Sequence, residues 1–165
     1  MADSDFSLSQ DLIHELFEYR DGMLFWKITR PNVVVGQKAG HISDRGYQRV
    51  VINNKMYKVH RIVFLMHKGY LPTEIDHIDG DKLNNKIENL RPATRSQNLL
   101  NKKKPSSNTS GVKGVSWCAE RNKWEVQMYV DGKKKYIGRF DSLDVAKSMA
   151  MAFREKHHGE FANHG

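Results

Sequence analysis

The chain has 165 residues, 39% of them hydrophobic, and carries 27 Lys and Arg against 19 Asp and Glu for a formal charge of +8. That length allows one domain or two small ones with modest cores, and the charge favours polyanionic partners, nucleic acid first. The one cysteine, Cys118, excludes an intrachain disulfide and a zinc knuckle of paired cysteines, no secretory signal is expected from the polar, acidic residues 1–10, and no apolar run approaches membrane-spanning length.

Residues 9–19 pattern as a short amphipathic helix, with Leu12, Leu16 and Tyr19 on one face and Gly22 as its stop. Strand-like sequence follows at 23–28 and 47–52. The Asn53-Asn54 pair reads as a tight turn into a strand at 55–59, because asparagine tolerates positive φ. Helical spacing returns at 60–67, with Gly69 as C-terminal cap and Pro72 barring continuation. Residues 74–77 and 89–93 are expected to pair as strands across a loop rich in Asp, Asn and Gly, and Thr94 or Ser96 to cap a helix through Asn101. The apolar-free stretch 102–110 reads as a basic linker. After it come three strands, at 112–118, 123–130 and 133–140, the last two joined by the hairpin signal Asp131-Gly132. A helix capped by Asp141 or Ser142 ends near Gly159.

The β-hairpin and the helix that follows it carry the chemistry. Asp76 and Asn98 supply hard oxygen donors of the kind a divalent cation takes. His77 is a base of suitable type to activate water for phosphodiester hydrolysis. Asp79 and Asp81 read as turn residues rather than ligands, and His60 as a core or phosphate-facing residue.

Residues 58–101 resemble the HNH nucleases, in particular the phage and intron-encoded homing endonucleases. The resemblance is carried by the Val59-His60-Arg61 helix start, the Asp76-His77-Ile78-Asp79-Gly80 block, Asn84-Asn85 with Asn89-Leu90, and Ser96-Gln97-Asn98. It implies a ββα-metal fold holding one divalent ion, with His77 as general base, Asp76 and Asn98 as metal ligands, and Asn89 orienting the His77 ring. An oxygen-only ligand set favours Mg²⁺, with Mn²⁺ as the alternative, over Zn²⁺. The sequence from Ser110 to Asn163 is similar to AP2 DNA-binding domains. The matching residues are Gly111-Val112-Lys113-Gly114-Val115, Trp124, Ile137-Gly138-Arg139-Phe140, and His158-Gly159-Glu160-Phe161-Ala162-Asn163. That resemblance implies a sheet lying in the DNA major groove and contacts from Lys113, Ser116, Cys118, Gln127, Tyr129, Lys134 and Tyr136. Ser116, Cys118 and Tyr129 depart from the arginines of plant-type members, so their base preference does not transfer.

The resulting expectation is an α+β protein. Residues 1–101 form a ββα-metal nuclease domain with a strand-rich N-terminal extension. Residues 102–110 form a linker whose Lys102, Lys103 and Lys104 meet DNA phosphates, and 111–165 a three-stranded antiparallel sheet plus helix. The expected activity is metal-dependent nicking of double-stranded DNA, with a homodimer or two binding events needed for a double-strand break. The expected setting is the cytoplasm of a bacterial host, from a phage-encoded gene and without membrane association. The rival readings are a DNA-binding regulator that no longer cuts and an RNA-directed protein.

Overall fold

The computed structural model describes residues 8–101, 108–130 and 132–162. Contacts divide the chain into two compact units, Met1–Pro92 and Ala93–Gly165. Most of the expected 102–110 linker, Asp131 and Asn163 lie outside the described residues.

The first unit opens with α1 (Gln10–Leu16), whose first turn is capped by Ser9 Oγ accepting from Leu12 N at 3.2 Å. The helix is shorter than the periodicity implies. Phe17 is already extended, and residues 17–19 join β1 (Phe17–Arg20), which pairs antiparallel with β2 (Met23–Trp26). The Asp21-Gly22 turn overrides the helical spacing. Both residues have positive φ, +48° and +83°, as a two-residue hairpin compatible with strand twist requires. Asp-Gly is therefore a hairpin signal here rather than a helix stop.

A short strand that the pattern does not reveal, β3 (His41–Ile42), pairs with β4 (Gln48–Ile52), which pairs with β5 (Lys55–Lys58) across the expected Asn53-Asn54 turn. The chain passes directly into α2 (Val59–Lys68), which ends at Gly69 with its N–H on Leu65 O at 2.9 Å. Ile13, Phe17, Leu24, Ile62, Val63 and Phe64 form the centre of this unit's core. Next, β6 (Glu74–His77) pairs with β7 (Leu90–Ala93), joined through a 3₁₀ turn at Ile87–Asn89.

In the second unit α3 (Arg95–Leu100) begins with a capping box. Thr94 Oγ1 accepts from Gln97 N at 3.2 Å, and Gln97 Oε1 accepts from Thr94 N at 2.8 Å. The three predicted strands are present as β8 (Val115–Cys118), β9 (Lys123–Val130) and β10 (Lys133–Phe140), in the order β10-β9-β8 and antiparallel throughout. One face packs Val126 and Met128 against Ala146 and Ala150 of α4 (Leu143–His158). Gly114 lets the chain close over this sheet. Its carbonyl accepts from Gln127 N at 2.8 Å, and a Cβ there would sit 2.6 Å from Gln127 O. The described residues thus form a mixed α and β protein. Among them no helix is long and apolar enough to cross a membrane.

Candidate functional site

Successive side chains of a strand point to opposite faces, so Asp76 and His77 could approach one site only where β6 stops. His77 is its last residue, and Gly80 N turns back to His77 O at 2.9 Å. Both side chains are buried, Asp76 to 3% exposure and His77 to 6%.

Asp76 Oδ2 accepts from Arg91 Nε at 2.9 Å and lies 2.8 Å from Arg91 Nη2 on β7, in an ion pair whose side chains are 4% and 13% exposed. A buried carboxylate needs such a partner, since an isolated charge in a low-dielectric interior is strongly disfavoured. Among the described residues no three His, Cys, Asp or Glu side chains cluster as ligands. Asp76 with an amide oxygen is a sparse, hard donor set, which fits an ion that keeps most of its shell as water and phosphate oxygens. Asn98 lies on α3, in the second unit.

His77 has burial as its main perturbation, which holds its pKa below the ordinary imidazole value. A hydrogen bond with Asn85 and the charges of Asp79, Asp76 and Asp81 pull the other way. A ring kept neutral at neutral pH can accept a proton. The family resemblance assigns the orientation of this ring to Asn89, and the structure corrects that. Asn89 sits at the end of the 3₁₀ turn and its amide faces the loop. Its Nδ2 donates to Asp79 Oδ1 at 2.9 Å and to Asn84 O at 2.8 Å, and its Oδ1 accepts from Asp79 N at 3.1 Å. The side chain at His77 is Asn85, with Oδ1 3.2 Å from Nε2. Asn89 shapes the loop that presents the histidine, and Asn85 meets the ring. The Asn-Asn doublet 84–85 is the available signal, but nothing in a pattern of loop asparagines says which one turns inward.

Asp79 and Asp81 act as the turn residues expected of them. Asp79 Oδ1 accepts from Asp81 N at 2.8 Å and its Oδ2 from Asn84 Nδ2 at 2.7 Å, while Asp81 Oδ1 accepts from Leu83 N at 2.9 Å. Burial opposes the Asp79 charge, but these bonds outweigh it and hold the carboxyl below its usual range.

Two aromatic rings stand beside His77, and two lysines approach one of them. His60 meets it edge-on at 4.9 Å and Tyr47 lies 6.3 Å away. Lys58 Nζ and Lys82 Nζ sit 4.6 Å and 4.8 Å from the Tyr47 ring centre, within the range of cation–π attraction. His60 is buried. Burial first, then His77, Lys58 and Arg61, push its pKa down to about 3. The unfolded chain protonates this histidine near pH 6.5 and the folded chain does not, so acid favours unfolding between those values. Unfolding free energy is expected to fall by up to about 1.4 kcal/mol per pH unit below about pH 6.5. In urea unfolding at stepped pH, His60→Phe should flatten that slope, and an unchanged slope would count against a neutral buried His60.

On the second unit, the strand register puts Ser116, Gln127, Tyr129, Lys134 and Tyr136 on the sheet face opposite α4. Tyr136 is paired with Gln127, Lys134 with Tyr129, and Ser116 with Glu125. Tyr129 and Tyr136 are more than half exposed. Cys118 is at the end of β8, paired with Lys123. The centre of this face holds an acid that the sequence pattern does not single out. Glu125 is neutralised by Arg139, at 2.8 Å, and also accepts from Gln127. Lys113 departs from the expected face. It precedes β8 and its Nζ donates to Leu100 O at 3.0 Å, with burial and Arg154 lowering its pKa to about 8. Lys102, Lys103 and Lys104 lie outside the described residues.

Residues 57–100 match the HNH endonuclease family profile. The chain is 43% identical over 97 residues to protein 3.8 of Escherichia phage T7, covering 58% of this chain and 75% of that protein. It is 33% identical over 132 residues to an uncharacterized HNH endonuclease, L560, of Acanthamoeba polyphaga mimivirus, covering 78% and 67%. The solved structure of the HNH homing endonuclease I-HmuI, described for DNA binding and cleavage, aligns at 24% identity with a TM-score of 0.40, covering 73% of this chain and 71% of that one.

Proposed function

The chain belongs to the HNH endonuclease family, and from that premise we propose that it is a metal-dependent DNA endonuclease of the homing type that nicks one strand. The observation that carries the reading is His77, a buried histidine held at the end of β6 with its pKa lowered by burial, next to Tyr47, whose ring Lys58 and Lys82 approach. In the proposed mechanism the His77 ring takes a proton from water as its oxygen attacks phosphorus in line. The bond from phosphorus to the 3′ oxygen breaks, leaving a 5′-phosphate and a 3′-hydroxyl. Members of the family generally use a divalent metal ion. Asp76 and Asn98 would hold it, and when bound it would supply charge neutralisation at the scissile phosphate and the leaving oxygen. Arg91 orients the Asp76 carboxylate through the ion pair at Oδ2. Asn89 and Asp79 hold the loop that follows the base. Ser116, Gln127, Tyr129, Lys134 and Tyr136, with the basic stretch Lys102 to Lys104, would give affinity and register on the duplex.

Supercoiled plasmid incubated with Mg²⁺ or Mn²⁺ is expected to convert to the nicked form, and EDTA to prevent it. DNA retention in a gel shift without cleavage, on host and phage genomic DNA as well as plasmid, would instead favour a regulator that binds and does not cut. Deleting Lys102 to Lys104 should make the slope of log affinity against log salt shallower by roughly 0.9 for each DNA phosphate the lysines neutralise. An equal slope in the deletion would reduce these lysines to a spacer.

A further inference from the structure

We propose that Asn85, anchored by Gln48, is a positioning residue that fixes the tautomer of His77, so that Nε2 keeps its proton and Nδ1 carries the lone pair that receives the proton of the attacking water. The inference rests on the reading of His77 as the base. It follows from a chain of hydrogen bonds whose direction can be worked out from one end.

That end is Ala39, whose backbone carbonyl only accepts. Gln48 Nε2 donates to it at 3.0 Å, so the oxygen of the Gln48 amide points the other way. Asn85 Nδ2 lies 3.5 Å from that oxygen and 3.3 Å from Leu83 O, another group that only accepts. Two acceptors on one side fix the amide orientation of Asn85 and turn Oδ1 toward His77. Oδ1 accepts and cannot donate, so the proton of the 3.2 Å contact belongs to His77 Nε2. A neutral imidazole has one N–H, and its lone pair is therefore on Nδ1.

The burial of these groups shows that the arrangement is specified. Gln48 is 8% exposed, Asn85 2% and His77 6%. Buried amides are unfavourable without partners, and apolar residues on β4 and in the loop would serve a plain core better. The Asn85 backbone is clamped as well. A Cβ on Gly22 would sit 2.9 Å from Lys86 N and 3.2 Å from Asn85 C, so the hairpin turn of β1 and β2 abuts this peptide directly. Tyr19 Oη accepts from Ile87 N at 3.2 Å just beyond it. The N-terminal extension thus braces the residue that meets the base.

The direct test is nitrogen NMR of the full-length chain labelled at its histidine rings, at a pH where His77 is neutral, with its signals identified by their disappearance in His77→Gln. Ring-nitrogen shifts distinguish the two tautomers without any cleavage taking place. The wild-type ring is expected as the Nε2–H form. Asn85→Leu should shift it toward a mixture or the Nδ1–H form and slow cleavage roughly ten- to hundredfold, with DNA retention unchanged. Gln48→Leu, which leaves the Asn85 oxygen present but its amide loosely held, should produce a smaller shift in the same direction and covers the case in which the Asn85 variant does not fold. An Nδ1–H form in the wild type overturns the proposal, as does an Nε2–H form with a wild-type rate in both variants. Cleavage by His77→Ala at the wild-type rate would overturn the base assignment instead, a result separate from the tautomer itself.

Discussion

His77→Ala is expected to lower the rate of DNA cleavage by roughly a hundred- to ten-thousandfold, the usual contribution of a positioned general base, while gel-shift affinity for the same DNA stays within about twofold. The expectation follows from where the ring sits. At 6% exposure it offers little to a phosphodiester as a binding surface, and its neighbours His60 and Tyr47 meet it through ring edges and faces rather than through its acid–base chemistry. Binding should come from the lysines around Tyr47 and from the open sheet face of the second unit, which the substitution leaves in place. His77→Gln is a useful companion because it keeps volume and hydrogen bonding while removing the basic nitrogen. Single-turnover cleavage at saturating protein measures the step directly. Retention of the wild-type rate in both variants would remove His77 from the mechanism.

The largest expected effect on stability is at Arg91. Arg91→Ala should lower the unfolding free energy by about 3–5 kcal/mol in metal-free buffer, the range for breaking a buried ion pair and leaving one charge behind. Asp76 is 4% exposed in its side chain and has Arg91 against one oxygen at 2.8 Å, so the substitution removes a countercharge from a buried carboxylate. Added Mg²⁺ or Mn²⁺ should restore part of that stability, because a cation bound at Asp76 stabilises the folded state in proportion to its occupancy. The same addition should do nothing for Arg91→Ala combined with Asp76→Asn. Urea unfolding of the three proteins with and without metal reads both effects. A decrease under about 1 kcal/mol would mean the pair behaves as a solvated surface contact, and a metal effect that survives Asp76→Asn would place the cation elsewhere.

Features written in local sequence are legible. The β6 and β7 pairing, the cap at Thr94, the Asn53-Asn54 turn and the three strands and helix of the second unit all follow from residue types acting on their own backbone within a few positions. At residues 17–19 two local signals compete, and the helical one misleads. The spacing of Leu12, Leu16 and Tyr19 points to a longer helix, but Asp21-Gly22 supplies two positive-φ residues and the strand partner is only a few residues away. The two-residue strand β3 carries too little pattern to be read from sequence, since it is defined by its partner β4.

The candidate site divides in the same way. Which residue types could activate water and offer oxygens to a cation was decided by the sequence alone: Asp76, His77 and a loop of asparagines, on a chain of net charge +8. So was the family, through motifs in order between residues 57 and 100. Only tertiary structure decided which asparagine meets the base. Asn84, Asn85 and Asn89 are chemically identical, and their roles separate because the loop backbone turns Asn84 and Asn89 toward Asp79 and Asn85 toward Gln48 and His77. It also decided that Asp76 lies against Arg91 and that Lys113 turns to a carbonyl rather than to the open sheet face. A side chain's type is local, but its partner is set by segments far away in the chain, here Gln48 on β4 thirty-seven residues before Asn85.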